Sequence, residues 1–280
     1  MTTPRPAVRP MRYLAAAMAA GALLATTACS GAGTGSGPEA RTGAGRGERP
    51  AEAATGTPSP SPTLTEDGAR HALITAAQIE DDWTQVTTST ARSWRDSLLI
   101  GKVDAAQFLT GKSDVAECQR MTDALFDETL LGSPSGASAL AGFEEGDSRL
   151  LYQVATYDQK TLDDSMRWLK TLPQSCDSFT LTGDDGGKRT VEVVETAIPK
   201  EGDARQGLTV TVQGDEDGNP VTLTLAVAVV RVGTNAITVT QGGVSGAKTS
   251  TTDSAVRQGT PRLQEVLAGR TPTPNQTVFD

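Results

Sequence analysis

Four groups of residues in this chain have the types and spacing from which chemistry could be built. Ser245-Gly-Ala-Lys248 has the Ser-x-x-Lys spacing of penicillin-interacting enzymes, in which a lysine lowers the barrier to serine attack from the first turn of a buried helix. Here it follows Gly242-Gly243 and runs into threonine and serine, and no separate Lys-Thr-Gly or Ser-Asp-Asn completes it. Asp215, Asp217 and Asn219 stand where a calcium loop begins, but Gly218 takes the fourth place, Pro220 the sixth and Ala226 the twelfth. A bidentate glutamate is needed at the twelfth position and a glycine at the sixth, so a hairpin turn explains these residues better than a metal. His71 is the single histidine, so a nucleophile triad would have to use it, and it sits at the start of the folded segment as a surface residue of a helix. Glu144, Glu145 and Asp147 could form the carboxylate pair of a glycosidase, yet adjacent acids beside a glycine are ordinarily a solvated turn. The chain is therefore read as not an enzyme, with no catalytic residue, no metal and no cofactor.

Binding is the alternative to catalysis, and large aromatic faces would carry it. Trp83, Trp168, Tyr152 and Tyr157 are a large share of a chain only 4% aromatic. They are core or rim packing in the bland reading, and candidate lining of a cleft between sheet and helices in the functional one.

The three cysteines divide between two tasks. Arg5, Arg9 and Arg12 lead into an apolar run over residues 13–24, and Thr26-Thr27-Ala28-Cys29 follows. This is an export signal over 1–28, and a cysteine directly after a small residue offers a thiol for a diacylglyceryl thioether, so Cys29 is the expected lipidation site. Thr26 stands where lipoprotein signals favour leucine. The run is shorter than the roughly 20 residues a membrane-spanning helix needs. In an exported domain the remaining pair, Cys118 and Cys176, is expected to form one disulfide, because a metal site would need about four ligands and a redox pair is ordinarily Cys-x-x-Cys.

Residues 29–63 are built of Gly, Ala, Thr, Ser and Pro, with a Pro-Ser-Pro-Ser-Pro run at 58–62. They cannot bury a core and read as a lipid-anchored disordered tether, on the order of 30 Å in root-mean-square span. Residues 64–270 are long enough for one sizeable domain, and 271–280, with Pro272 and Pro274, read as a flexible tail. The chain carries 25 Lys+Arg against 34 Asp+Glu, and loss of the three leader arginines leaves 22 against 34, or −12. Such a balance excludes nucleic acid and a basic lipid-binding patch, and keeps a tethered domain soluble.

The elements that must position these residues follow from periodicity. Residues 64–86 predict a helix capped by Thr65, with Thr75 capping one more turn; Asp114 predicts a cap for a helix over 115–130. Residues 132–142 read as a Gly/Ser/Pro-rich loop, 149–157 as a strand and 162–172 as a helix. Beyond Cys176 the period becomes two, over 179–182, 190–198, 208–212, 221–232 and 236–240, divided by turn sequences such as Asp217-Gly218-Asn219 and Gly233-Thr234-Asn235. Residues 254–267 predict a closing helix. The class is α+β: a twisted antiparallel sheet with helices packed mainly on one face and one disulfide.

This order of features resembles the PknH-type extracellular sensor domain of mycobacterial serine/threonine kinases and many actinobacterial lipoproteins. The resemblance lies in Leu73-Ile-Thr-Ala-Ala-Gln-Ile79 followed by Trp83, Cys118 in a helix, and Tyr152 and Tyr157 in a strand. It continues in Leu169-Lys-Thr-Leu172 before Cys176 and Phe179, and in the Val232-Gly-Thr-Asn235 turn. It implies an α+β sensor domain with a central cleft for an unidentified ligand; family members tend to carry two disulfides, and this sequence has cysteines for one. The expectation is a lipoprotein on the extracytoplasmic face of the cell membrane, with a non-enzymatic sensor or binding domain for a small molecule or envelope component. The alternative is a structural or protein-interaction lipoprotein of the envelope without a small-molecule ligand.

Overall fold

The computed structural model describes residues 63–272, apart from 81, 97–98, 101–102, 105–109, 127–128, 185 and 217. The export signal, Cys29, almost all of the tether and residues 273–280 lie outside the described residues. The chain opens with helix α1 (Glu66–His71), whose Thr65 hydroxyl accepts the Gly68 N–H, and a single turn over Ala76–Gln78 closed by a Thr75/Gln78 capping box. Strand β1 (Thr84–Gln85) and helix α2 (Thr88–Asp96) follow, then the short pair β2 (Leu99–Ile100) and β3 (Val103–Asp104). Helix α3 spans Ala116–Phe126, strands β4 and β5 Ser138–Glu145 and Ser148–Thr156, and helix α4 Gln159–Ser175. Strands β6 (Ser178–Thr182), β7 (Lys188–Glu195), β8 (Ala204–Glu216), β9 (Asn219–Val232) and β10 (Asn235–Gly243) lead to the closing helix α5 (Thr249–Leu267).

Eight strands form one antiparallel sheet in the order β1-β4-β5-β10-β9-β8-β7-β6. The α+β class, the antiparallel sheet and the disulfide are as the sequence predicts. The helices divide three and two. On one face Cys118, Met121 and Leu125 of α3 and Leu162, Met166 and Leu169 of α4 pack with α2 against Leu151, Val193, Val210, Leu225 and Val227. On the other, Ala255, Val256 and Leu263 of α5 pack with Ala69 of α1 against Phe143, Tyr152, Val154, Ile237 and Val239. Because both faces are covered, the centre of β9 cannot alternate. Leu225-Ala-Val-Ala-Val-Val230 is buried throughout, the pattern of a strand enclosed on two sides.

Several expected boundaries are corrected. The helix expected over 64–86 is confined to Glu66–His71, and its far end is the turn Ala76–Gln78 and strand β1 at Thr84–Gln85. The helix expected over 115–130 runs over Ala116–Phe126, and it is Ser113 whose hydroxyl accepts the Val115 N–H, where Asp114 was expected to cap. The loop expected over 132–142 becomes, from Ser138, strand β4, joined to β5 by a two-residue turn at Gly146-Asp147. Its Ala and Gly content hid it, since small residues are poor strand formers. The tertiary structure gives the reason for them: a Cβ at Gly142 would lie 2.7 Å from the Ala91 Cβ and 2.9 Å from the Trp94 ring. Helix α2 can reach the sheet only because β4 has no side chain there.

Candidate functional site

Cys118, near the start of α3, and Cys176, at the end of α4, are joined as expected, across 58 positions of sequence. The bond ties together helices that diverge toward the 129–133 loop. Farther along, Arg120 stacks over the Trp168 ring at 3.9 Å and the Trp168 indole N–H donates to Glu117 at 2.7 Å.

The four aromatic residues read as candidate cleft lining do not share a cleft. Trp83 and Tyr152 are buried on the α5 face and Trp168 and Tyr157 on the α3/α4 face, with the sheet between the two pairs. The sequence placed Tyr152 and Tyr157 in one strand; β5 ends at Thr156, and Tyr157, the next residue, packs on the face opposite Tyr152. Tyr152 is wholly buried, its hydroxyl has no hydrogen-bond partner, and burial holds its phenol neutral far above the ordinary range, with the Arg262 charge lowering it only in part.

The candidate catalytic groups do not come together. Lys248 Nζ donates to both oxygens of Glu145 at 2.9 and 3.0 Å, and this hydrogen bond raises the lysine above its ordinary 10.5. A lysine that activates a serine must be neutral, so one held protonated cannot do so, and Ser245 lies exposed in the turn before α5. Glu144 approaches Arg149 at 4.0 Å. His71 ends α1 at the surface, its carbonyl accepting from Arg262 at 2.9 Å. Asp215 accepts the Gly218 N–H at 2.7 Å inside the β8–β9 hairpin, where Gly218 has φ +81°; this is a turn. Among the described residues, no group of three or more His, Cys, Asp or Glu is placed to hold a metal ion, and no helix is long and apolar enough to cross a membrane.

Among the described residues, two concavities are large enough for a small molecule. One, of about 600 Å³, opens where α3 and α4 diverge, and Gln119, Arg120, Asp123, Thr161 and Ser165 give it a polar wall. The other, of about 560 Å³, lies beside Thr63, between the C-terminal end of α5 and the β9–β10 hairpin. Leu64, Val232 and Leu267 supply its apolar wall, and Thr156, Arg231 and Asn235 its polar side. These three polar groups are held in place. Thr156 Oγ1 donates to Asn235 Oδ1 at 2.7 Å, and Asn235 is buried; Arg231 Nη1 pairs with Asp163, and its Nε donates to the Gly233 carbonyl at 2.6 Å. An apolar wall with a few fixed polar groups is the composition of a small-molecule site. Sequence reasoning passed over these residues because it read Gly233-Thr234-Asn235 as turn chemistry alone. The available signal was the polar Asn235 opening the strand where the apolar Ala236 and Ile237 follow.

Fold and site together define an α+β domain on one eight-stranded antiparallel sheet, disulfide-linked, with an apolar-walled pocket at the end of its last helix. No family model matches the chain, and no curated protein matches it. Among solved structures it is similar to the extracellular domain of PknH from Mycobacterium tuberculosis, with 10% sequence identity and a TM-score of 0.43 over 73% of this chain and 98% of that one. A likeness of that size leaves the function of this chain to be argued from its own residues.

Proposed function

We propose that the chain is an exported lipoprotein, anchored through Cys29 on the extracytoplasmic face of the cell membrane, whose non-enzymatic domain acts as a sensor or binding module for a small molecule or envelope component. The pocket beside Thr63 is the observation that carries the binding reading. Its 560 Å³ falls in the range of small-molecule sites, and its apolar wall of Leu64, Val232 and Leu267 faces fixed polar groups. Lys248 and Glu145 are paired with each other and Asp215 is bonded within a turn, which supports binding over turnover. The anchor rests on the N-terminal sequence, and the disulfide suits a domain that folds outside the reducing cytosol.

Intact mass of the native protein, extracted from its own membranes in mild detergent, tests the proposal. A diacylglyceryl increment on Cys29 and a releasable extra mass are expected. An unmodified Cys29 overturns the anchor. A chain that retains nothing, and whose melting temperature no envelope lipid or wall fragment raises, overturns the binding reading.

A further inference from the structure

We infer that the pocket at the end of α5 takes an amphiphile whose head is uncharged and rich in hydroxyl or amide groups, and that it discriminates against anionic heads; this rests on the binding reading above. Arg231 is the cation that lines the pocket, and it would ordinarily mark a site for a carboxylate or phosphate. Here its guanidinium is already spent on protein acceptors. Nη1 pairs with Asp163 and Nε donates to the Gly233 carbonyl at 2.6 Å. A second carboxylate is bonded to the same hairpin from the residue before β8, since Asp203 accepts the Gly233 N–H at 2.6 Å while its own N–H donates to the Arg231 carbonyl at 2.8 Å. One carboxylate thus pairs with the guanidinium, and a second is fixed on the backbone N–H of the neighbouring Gly233.

The other wall adds to the same sign. Gln264, Leu267 and Ala268 belong to the last turn and cap of α5, where the helix dipole presents its negative end. The nearby cations do not offset it: Lys160, next to the lining residue Gln159, is held by Asp164 at 2.6 Å, and Arg270 beyond the helix end is exposed to solvent. An anionic head would enter a site whose one positive group is neutralised and whose surroundings are negative. The pocket does present neutral hydrogen-bonding groups, the hydroxyl of Thr63 and the carboxamides of Gln159 and Gln264, beside the Thr156–Asn235 pair. Leu64, Val232 and Leu267 offer the apolar body of a ligand its wall. Hydroxyl or amide heads fit that polar set without displacing Asp163 from Arg231.

Calorimetry on the full chain secreted as Cys29→Ser tests this, with 1-monolauroylglycerol, laurate and dodecylammonium as probes of one chain length, each below its micelle concentration, at pH 8 and low salt. Monolauroylglycerol is expected to bind at least about ten-fold more tightly than laurate, the difference of one charge-assisted hydrogen bond withheld from the anion. Asp163→Asn, which frees Arg231, should strengthen laurate binding by about ten-fold and narrow that preference. Leu267→Gln, at a half-buried pocket position, should abolish monolauroylglycerol binding while near-ultraviolet circular dichroism stays native. Laurate binding as tightly as monolauroylglycerol overturns the head-group inference and leaves the binding reading standing; dodecylammonium binding most tightly does the same. Unchanged laurate affinity in Asp163→Asn, or unchanged monolauroylglycerol affinity in a folded Leu267→Gln, overturns the location. No binding of any probe overturns both.

Discussion

Helix α5 comes close to the sheet at Gly259 because no side chain stands there, and adding one should be costly. A Cβ at Gly259 would fall 1.9 Å from the Tyr152 hydroxyl oxygen, 2.7 Å from Cζ and 2.9 Å from Cε2, all well inside the 3.4 Å of ordinary contact. Tyr152 has no exposure at all and sits mid-strand in β5, so its ring cannot swing away. Gly259→Ala therefore sets two effects against each other. Alanine favours the helix by about 1 kcal/mol, whereas forcing an extra carbon into a packed core costs about 1–3 kcal/mol. With so close an approach on a wholly buried ring, steric cost should dominate, and the variant should lose about 2 kcal/mol, lowering the melting temperature of a domain this size by roughly 4–8 °C. Tyr152→Phe supplies the control. It removes a hydroxyl that is buried without a partner, so it should be neutral or stabilising by up to about 1 kcal/mol, and it should reduce the cost of Gly259→Ala by about 1 kcal/mol without abolishing it, since the ring carbons still collide. Urea denaturation of the four proteins in the cycle measures this. A Gly259→Ala variant at least as stable as the parent, or one equally destabilised in both backgrounds, would refute the argument.

Replacing Cys118 and Cys176 by alanine should cost about 4 kcal/mol through loss of a loop constraint spanning 58 positions, read as a lower urea midpoint. Because the Glu145 hydrogen bond raises Lys248 above 10.5, its contribution is complete below pH 10.5 and lost as pH rises through the raised value. Lys248→Met should therefore flatten the alkaline limb of the stability profile and leave the acid limb intact, and an unchanged alkaline limb would count against the ion pair. Asp158 caps α4, and the Thr161 backbone N–H, then the Thr161 hydroxyl, lower it below 3.8. Its contribution is present above pH 3.8 and lost as pH falls through the depressed value, so Asp158→Ala should shrink the loss of melting temperature between pH 5 and pH 2.

Local signals were legible wherever one residue and its near neighbours decide the outcome. Thr65 and Thr75 cap the turns they were expected to cap, and the period-two segments after Cys176 became β6 to β10 with hairpin turns at the glycine-bearing sites. The helix over 162–172 is longer than its periodicity suggested, starting at the Asp158 cap and passing through Pro173 to Ser175. Pro173 obscured that end, since proline ordinarily stops a helix. Strand β4 was illegible for a different reason: the small residues that make it a poor strand by propensity are demanded by α2, packed from elsewhere in the chain.

By itself the sequence determined the class of the fold and the pairing of Cys118 with Cys176. Each rests on periodicity or on cysteine count, properties read along the chain. Tertiary structure alone decided that Tyr152 and Tyr157 face opposite ways, that Lys248 is held by Glu145 across 103 positions, and that Arg231, Asn235, Leu64 and Leu267 meet at one pocket. Those outcomes depend on strand register and on which helix covers which face. Contacts between segments far apart in the chain set both, and no local pattern encodes them.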